Sequence, residues 1–144
     1  MAEAILNGTA APRFRGFSAG SYPGTTPNPF AISTLQQLGY STADLRSKGW
    51  DEFAKPGAPV MDLVVTVCDN AAGEICPVWP GHPITGHWGV EDPSQFQGSD
   101  EQKRREFARV ASILKQRIES LARLPVEKLD RIDLARKIDE IGSG

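Results

Sequence analysis

A long amphipathic pattern dominates the second half of the chain. From Asp100 onward, apolar residues recur at helical spacing and charged residues occupy the other faces. The apolar stripe consists of Phe107, Val110, Ala111, Leu114, Ile118 and Leu121. We predict a helix that Asp100 caps, that Pro125 ends and that buries this stripe. A second helical pattern from Val126 to Ile141 predicts a surface helix or a flexible extension, and the composition of Gly142-Ser143-Gly144 predicts disorder.

The first half of the chain alternates between strand and helix patterns. The β-branched run from Leu63 to Val67 predicts a buried strand, and Ile84 to Trp88 and Phe14 to Gly20 are two shorter candidates. Between them, Asn28 and Pro29 begin a helical pattern that Gly39 stops, and Trp50 to Phe53 suggests one more helical turn. Strands that alternate with helices predict an α/β fold with a parallel sheet.

The segment from Met1 to Gly8 has the composition of the interior and end of a helix. Strong helix formers run into Asn7-Gly8, which is a common C-terminal stop, and no capping residue precedes them. A frayed N-terminal turn would explain this pattern. Three candidate strands are nevertheless few for a parallel sheet, so we expect an element of the fold to be missing before Met1.

Composition narrows the classes of protein without selecting one. The 144 residues, 40% of them hydrophobic and 24% charged, suit one globular domain. The formal charge of −2 gives no footprint for nucleic acid. The sequence has no apolar run long enough to span a bilayer and no signal-peptide pattern at its start. We therefore expect a cytoplasmic protein that binds neither nucleic acid nor membrane.

Both cysteines lie in the stretch that follows the predicted strand at Leu63. Cys68 ends the strand and Cys76 closes the loop after it, and side chains at the carboxyl ends of parallel strands form the usual sites of α/β sheets. Four interpretations stay open: buried free thiols, a static disulfide, a zinc site with His82 and His87, or a redox pair on a mobile loop. In a redox pair, one thiolate attacks and the second thiol reaches it after the loop moves.

Several short segments together carry a resemblance to a known family. They are Phe17-Ser18-Ala19-Gly20-Ser21, Leu38-Gly39-Tyr40, Leu45-Arg46-Ser47-Lys48, Val65-Thr66-Val67-Cys68-Asp69-Asn70-Ala71, Cys76-Pro77 and His87-Trp88-Gly89-Val90-Glu91-Asp92-Pro93. In order and spacing, they resemble the arsenate reductases of the low-molecular-weight protein tyrosine phosphatase family. The resemblance implies such a domain over residues 1–124, followed by a helical extension and a flexible end over residues 125–144.

The resemblance also implies a three-layer α/β fold in which helices flank a four-stranded parallel sheet. In the family, an anion-binding Cys-x5-Arg loop joins the first, central strand to the first helix, and the cysteine of that loop attacks arsenate. This sequence contains no Cys-x5-Arg. We therefore expect the central strand, the nucleophilic cysteine and the anion-binding arginine to be missing from it.

The family's chemistry assigns roles to three residues of this chain. Cys68 would attack the cysteine-bound arsenic adduct and release arsenite, and Cys76 would then attack Cys68. Thioredoxin or a small thiol would reduce the resulting Cys68–Cys76 disulfide, with no bound cofactor. Asp92 would be the general acid toward the leaving oxygen, although the residues alone favour an ordinary Asp-Pro turn. The substrate implied is arsenate or a phosphate-like oxyanion, in arsenical resistance.

Three functions stay open at this point. They are an arsenate reductase whose true N-terminus lies upstream of Met1, an inactive binding or redox module, and a phosphatase. Ser94-Gln95-Phe96 stands where phosphatases of the family usually have a tyrosine pair, which favours the reductase. We expect the chain alone to be inactive. Without a central strand, backbone groups lose partners, so we also expect marginal stability, rearrangement or self-association.

Overall fold

The structure, a computed structural model, describes residues 1–10, 13–19, 28–43, 45–46, 48–49, 51–54, 57–68, 83–91 and 93–143. The helices in these ranges are α1 (Ala2–Ala10), α2 (Pro29–Gln37), α3 (Asp51–Ala54), α4 (Asp100–Arg123) and α5 (Arg131–Ser143). The strands are β1 (Leu63–Cys68) and β2 (Ile84–Val90), and short 3-10 turns lie at Pro93–Gln95 and Val126–Lys128. The order of elements is that of an α/β protein, as the sequence predicts.

Strands β1 and β2 pair in parallel, which confirms the predicted direction of the sheet. The register begins with Leu63 opposite Ile84 and continues to Thr66 opposite His87. Alternate residues of both strands contact the hydrophobic core. The core residues from the strands are Leu63, Val65, Val67, Ile84, Trp88 and Val90. The sheet therefore presents one face to the helices, as the alternation of side chains along a strand requires.

The strand predicted from Phe14 to Gly20 does not form in the described part of that segment, which pairs with neither β1 nor β2. Side chains of α1 bind its backbone instead. Asn7 accepts the N–H of Gly16 at 2.8 Å and donates to the Gly16 carbonyl at 3.1 Å. Glu3 accepts the N–H of Ser18 at 2.9 Å. The prediction fails because a strand depends on a neighbouring strand, which a local apolar pattern does not reveal.

Helix α1 continues beyond the predicted stop at Asn7-Gly8 and ends at Ala10. Gly8 lies against the ring of Tyr40, where an added Cβ would be 2.5 Å from Cδ1. The glycine is therefore needed for close packing inside the helix and does not end it. On the inner side of α1, Ile5 is fully buried. The N-terminal segment is consequently part of the core.

Helix α2 has the boundaries that its sequence predicts. The side chain of Asn28 accepts the N–H of Phe30 at 2.8 Å, and Pro29 is the first helical residue. Gly39 follows the helix with a φ of 85°, in the left-handed region that favours glycine. Local cap and stop residues are sufficient to determine this helix.

The short helix predicted near Phe53 is also present, as α3.

Helix α4 buries its predicted apolar stripe, but its cap is not Asp100. Ser99 accepts the N–H of Gln102 at 3.2 Å, and the Gln102 side chain accepts the N–H of Ser99 at 3.0 Å. This reciprocal pair is a capping box, so Asp100 becomes the first helical residue. The helix ends at Arg123, shortly before Pro125.

Among the described helices, none is long and apolar enough to cross a bilayer.

Helix α5, formed by the C-terminal pattern, docks on β2. Ile138 is fully buried, and its carbonyl accepts the indole N–H of Trp88 at 2.9 Å. Two glycines allow the helix to approach the strand. An added Cβ at Gly86 would lie 2.6 Å from Ile138 Cγ2, and one at Gly142 would lie 2.7 Å from a carbonyl oxygen of β2. The predicted disorder of Gly142 is therefore wrong, because this residue is packed against the strand.

Gly142→Ala tests this contact because two effects oppose each other. Alanine favours a helix over glycine by about 1 kcal/mol, so a free α5 would become more stable. In the docked helix, the new methyl group would meet the β2 backbone at 2.7 Å. We expect a lower free energy of unfolding and faster hydrogen exchange in α5. The exposed neighbour, in Ser143→Ala, is the control, and a stability increase in Gly142→Ala would contradict the docking.

Candidate active site

Cys68 is the last residue of β1, at the carboxyl end of the sheet, where the sequence places it. Strand β2 ends beside it at Val90, two residues before Asp92. Asp92, Cys76 and His82 lie outside the described residues. The structure thus brings the end of β1 next to the strand that leads to Asp92, and the roles assigned to Cys68, Cys76 and Asp92 stay predictions.

A bulge interrupts β2 directly before the end of the sheet. The register holds through Thr66, and pairing resumes with Cys68 opposite Val90. Between these pairs β1 has one residue, whereas β2 has two, Trp88 and Gly89. Two residues opposite one define a β-bulge, a feature that occurs often next to active sites. The position of Cys68 relative to the end of β2 therefore depends on this bulge.

Arg117 of α4 binds the backbone of the bulge. Its Nη1 donates to the Trp88 carbonyl at 3.0 Å and also reaches the Gly89 carbonyl at 3.5 Å. The Nε of Arg117 is buried and has no hydrogen-bond partner within the part of the chain that the structure describes. The indole N–H of Trp88 donates to the Ile138 carbonyl of α5. Two helices consequently anchor the residues that precede the strand end.

A groove of about 490 Å³ lies along the end of β2 and the adjacent face of α4. Its lining residues are Gly89, Val90, Glu91, Phe96, Glu106, Arg109, Ile113 and Arg117. Arg109 lies 2.5 Å from Glu106 and 3.7 Å from Glu91. The hydrogen bond from Arg109 lowers the pKa of the Glu106 carboxyl. Because Arg109 pairs with the carboxylates of Glu106 and Glu91, the charges that line this groove do not favour an anionic or a cationic ligand.

His87 lies on the exposed side of β2, where its Nδ1 is 2.5 Å from the Thr66 hydroxyl. The zinc alternative would require His87 together with Cys68, Cys76 and His82. Two of these residues are outside the described ranges, so the alternative stays untested. Among the residues that the structure does describe, no group of three His, Cys, Asp or Glu side chains could hold a metal ion.

Sequence reasoning missed Arg117 and the bulge that it binds. The available signal was the position of this arginine inside the apolar stripe, three residues after Leu114 and four before Leu121. A charged residue there must direct its guanidinium toward an acceptor at the edge of the core. The acceptors are backbone carbonyls of a distant strand, which no local pattern identifies.

Comparisons with known proteins agree with this architecture. A sequence profile of the family described as low molecular weight phosphotyrosine protein phosphatase matches residues 1–134. The arsenate reductase of Halalkalibacterium halodurans is 35% identical over 95 residues, which are 66% of this chain and 66% of that protein. The arsenate reductase of Bacillus subtilis has the same identity and coverage. The matched part thus spans just under two thirds of these relatives.

A solved structure described as an arsenate reductase in the reduced state has the same fold. The TM-score is 0.63 at 21% sequence identity, over 84% of each chain. At this identity, the likeness concerns the fold alone. The profile match covers most of the chain and includes β1, β2 and both cysteines. The chain therefore belongs to the low molecular weight phosphotyrosine protein phosphatase family.

Proposed function

We propose that this chain is part of an arsenate reductase that converts arsenate to arsenite through a relay of cysteine thiols. The observation that carries the proposal is the similarity, at 35% identity over 95 residues, to proteins named arsenate reductase. The position of Cys68 at the carboxyl end of β1 supports it, because reactive groups in parallel sheets lie at that edge. We place the enzyme in the cytoplasm, where thiol systems keep such cysteines reduced.

The relay balances arsenic reduction against thiol oxidation. A nucleophilic cysteine displaces an oxygen of arsenate as water and forms a sulfur–arsenic bond. The Cys68 thiolate attacks the sulfur of that adduct, the arsenic leaves with the electron pair as arsenite, and a disulfide joins the two cysteines. The Cys76 thiolate then attacks the Cys68 sulfur and releases the first cysteine as a thiolate. A thioredoxin-like dithiol or two small thiols reduce the Cys68–Cys76 disulfide.

The first nucleophile of this relay comes from outside the 144 residues. Neither Cys68 nor Cys76 begins a Cys-x5-Arg sequence, which the family uses to bind and attack the oxyanion. Asp92 protonates the leaving oxygen in this proposal. Its place in the sequence supports that role, because Asp92 follows Val90, the pairing partner of Cys68, by only two residues.

The resolving pair can be tested on this chain without the nucleophile. Mild oxidation of the reduced chain is expected to give an intramolecular Cys68–Cys76 disulfide, identified by peptide mass mapping and reversed by thioredoxin with its reductase. Cys76→Ser is the matched control and should give only intermolecular disulfides. The chain alone should release no arsenite above the reagent background. Arsenite release that Cys68→Ser removes would contradict an external nucleophile, and failure to form the disulfide would contradict the relay.

A phosphatase is the second candidate, because the family profile itself describes phosphotyrosine protein phosphatases. A phosphatase needs neither Cys68 nor Cys76, since water hydrolyses its phosphocysteine intermediate. The protein purified from its own cells should therefore be assayed with arsenate and with p-nitrophenyl phosphate, as wild type and as Cys68→Ser. Loss of arsenite release only in the variant supports the reductase. Phosphate release by both proteins without arsenite supports the phosphatase, and absence of both activities supports a redox module.

A further inference from the structure

We propose that Arg13 is a latch that fixes the segment between α4 and α5 and thereby keeps α5 closed as a strap over β2. The segment that it binds, residues 124–130, is called the connecting segment below. The proposal is independent of the thiol relay, which assigns no role to Arg13 or to α5. It concerns a part of the fold that opens and closes separately from the core.

All three nitrogen atoms of the Arg13 guanidinium bind the end of α4 or the connecting segment. Nε donates to Glu127 Oε1 at 2.9 Å, and Nη2 reaches Oε2 of the same carboxylate at 3.2 Å. Nη1 donates to the carbonyl of Ala122, and Nη2 also donates to that of Leu124. These acceptors lie on both sides of Pro125. A planar guanidinium is suited to this arrangement because it can bind a carboxylate through two nitrogens and still donate to carbonyls.

One of these acceptors is a carbonyl that the end of α4 leaves without its helical donor. In a continuing helix, the Ala122 carbonyl would accept the N–H of Val126. That N–H donates instead to the Leu124 carbonyl at 2.9 Å. A cation at the C-terminus of a helix is also favoured by the helix dipole. Arg13 therefore stabilises the point at which the chain leaves α4 and turns toward α5.

The hydrophobic core holds Arg13 in place. The N–H of the next residue, Phe14, donates to the carbonyl of Ala10 at the end of α1, at 3.0 Å. The Phe14 ring packs against the core, and the Arg13 guanidinium lies 5.2 Å from the centre of that ring. Helix α1 in turn packs against α4. The latch thus joins a fixed part of the fold to the connecting segment.

Helix α5 has features of a strap that needs such a latch. It contacts β2 more extensively than it contacts α4, and Ile138 is its buried residue. A cavity of about 520 Å³ remains between the two helices, lined by Ile113 of α4 and Ile141 of α5. A helix of 13 residues is only marginally stable by itself in water. Release of the connecting segment should therefore open α5 while the rest of the core stays folded.

Hydrogen exchange on the whole chain tests the latch. Arg13→Met keeps a long apolar stem but removes every donor. In this variant the amides of α5 and the indole N–H of Trp88 should exchange roughly tenfold to a hundredfold faster than in wild type, because hydrogen bonds from a charged group are lost. The amide of Val110, in the buried face of α4, should change much less. Unchanged exchange in α5, or an equal acceleration at Val110, would overturn the proposal.

Two further variants separate the latch from a general effect of charge. Arg13→Lys keeps the charge but has no planar fork, so α5 should exchange roughly threefold to tenfold faster than in wild type. Full wild-type protection in Arg13→Lys would overturn the proposal, and this variant keeps the test decisive if Arg13→Met does not fold. Arg105→Ala removes an exposed arginine that pairs with Glu101, and it should leave α5 unchanged. An acceleration of α5 as large as that in Arg13→Met would also overturn the latch.

This readout fails or succeeds separately from the proposed function. It measures exchange in α5 and at the Trp88 indole, and it involves no cysteine. If α5 opens in Arg13→Met while the Cys68–Cys76 disulfide does not form, the latch stands and the relay fails. If the disulfide forms and α5 exchange is independent of Arg13, the relay stands and the latch fails.

Discussion

Cys68→Ser is expected to abolish multiple-turnover arsenite release by the protein that carries this chain together with its nucleophile. Serine has nearly the same size, but its hydroxyl cannot attack the sulfur of the arsenic adduct at neutral pH. Loss of a covalent nucleophile typically costs at least about 10³-fold in rate. Arsenite is measured directly, with thioredoxin, its reductase and NADPH present. Turnover at the wild-type rate in Cys68→Ser would exclude Cys68 from the relay.

Cys76→Ser is the matched control because it interrupts the relay one step later. This variant should release arsenite once and then stop with a disulfide between Cys68 and the nucleophile. Mass mapping of the stalled protein identifies that bond. Comparing arsenite release in single and multiple turnover gives the order in which the two cysteines act. A single-turnover burst of arsenite in Cys68→Ser, with none in Cys76→Ser, would show that Cys76 acts before Cys68.

Ile138→Ala is expected to destabilise the folded protein strongly. The side chain is fully buried between α5 and β2, so its truncation leaves a cavity in the core. Such truncations of isoleucine cost about 2–5 kcal/mol of the free energy of unfolding. The measurement is chemical denaturation, together with hydrogen exchange of the Trp88 indole N–H, whose acceptor is the Ile138 carbonyl.

Ile132→Ala on the same helix is the control for this prediction. Ile132 is 81% exposed, so the same chemical change should alter stability by less than about 0.5 kcal/mol. Equal effects of the two substitutions would show that α5 does not dock through Ile138. If Ile138→Ala lowers stability but the Trp88 indole N–H does not exchange faster, the substitution does not act through the contact with Trp88.

The docking of α5 lies largely beyond the family's matched region. The family profile matches residues 1–134, whereas Ile138 and Gly142 make the close contacts with β2. Arg117 and α5 hold the same stretch of β2 from two different helices. The residues after 134 therefore contribute to the position of the strand end that precedes Asp92.

Elements with strong local signals were predictable from the sequence. Asn28 and Pro29 determine the start of α2 because the cap and the first helical residue are adjacent in the chain. The apolar stripe of α4 is buried as predicted, since helical spacing places its members on one face. The β-branched run that forms β1 and the shorter candidate that forms β2 were also recognised. In each case, the determining residues lie within a few positions of one another.

Features that depend on distant residues were not predictable in this way. The segment from Phe14 to Gly20 has a strand-like sequence, yet its described backbone bonds to side chains of α1. The composition around Gly142 favours a disordered end, but this residue lies against β2 because a glycine allows that approach. The local composition shows which conformations a segment can adopt, whereas its contacts with distant residues determine which conformation it adopts in the fold.

The sequence by itself determined the α/β class, the parallel direction of the sheet that the pairing of β1 with β2 confirms, and the location of Cys68 at a strand end. These properties follow from residue spacing and from the resemblance of short segments to a family. Only the tertiary structure decided the bulge opposite Val67, its contact with Arg117, and the docking of α5 on β2. The reason is physical: the carbonyls of Trp88 and Gly89 accept hydrogen bonds from a side chain that lies 29 and 28 residues away along the chain, and no local pattern reveals a contact at that separation.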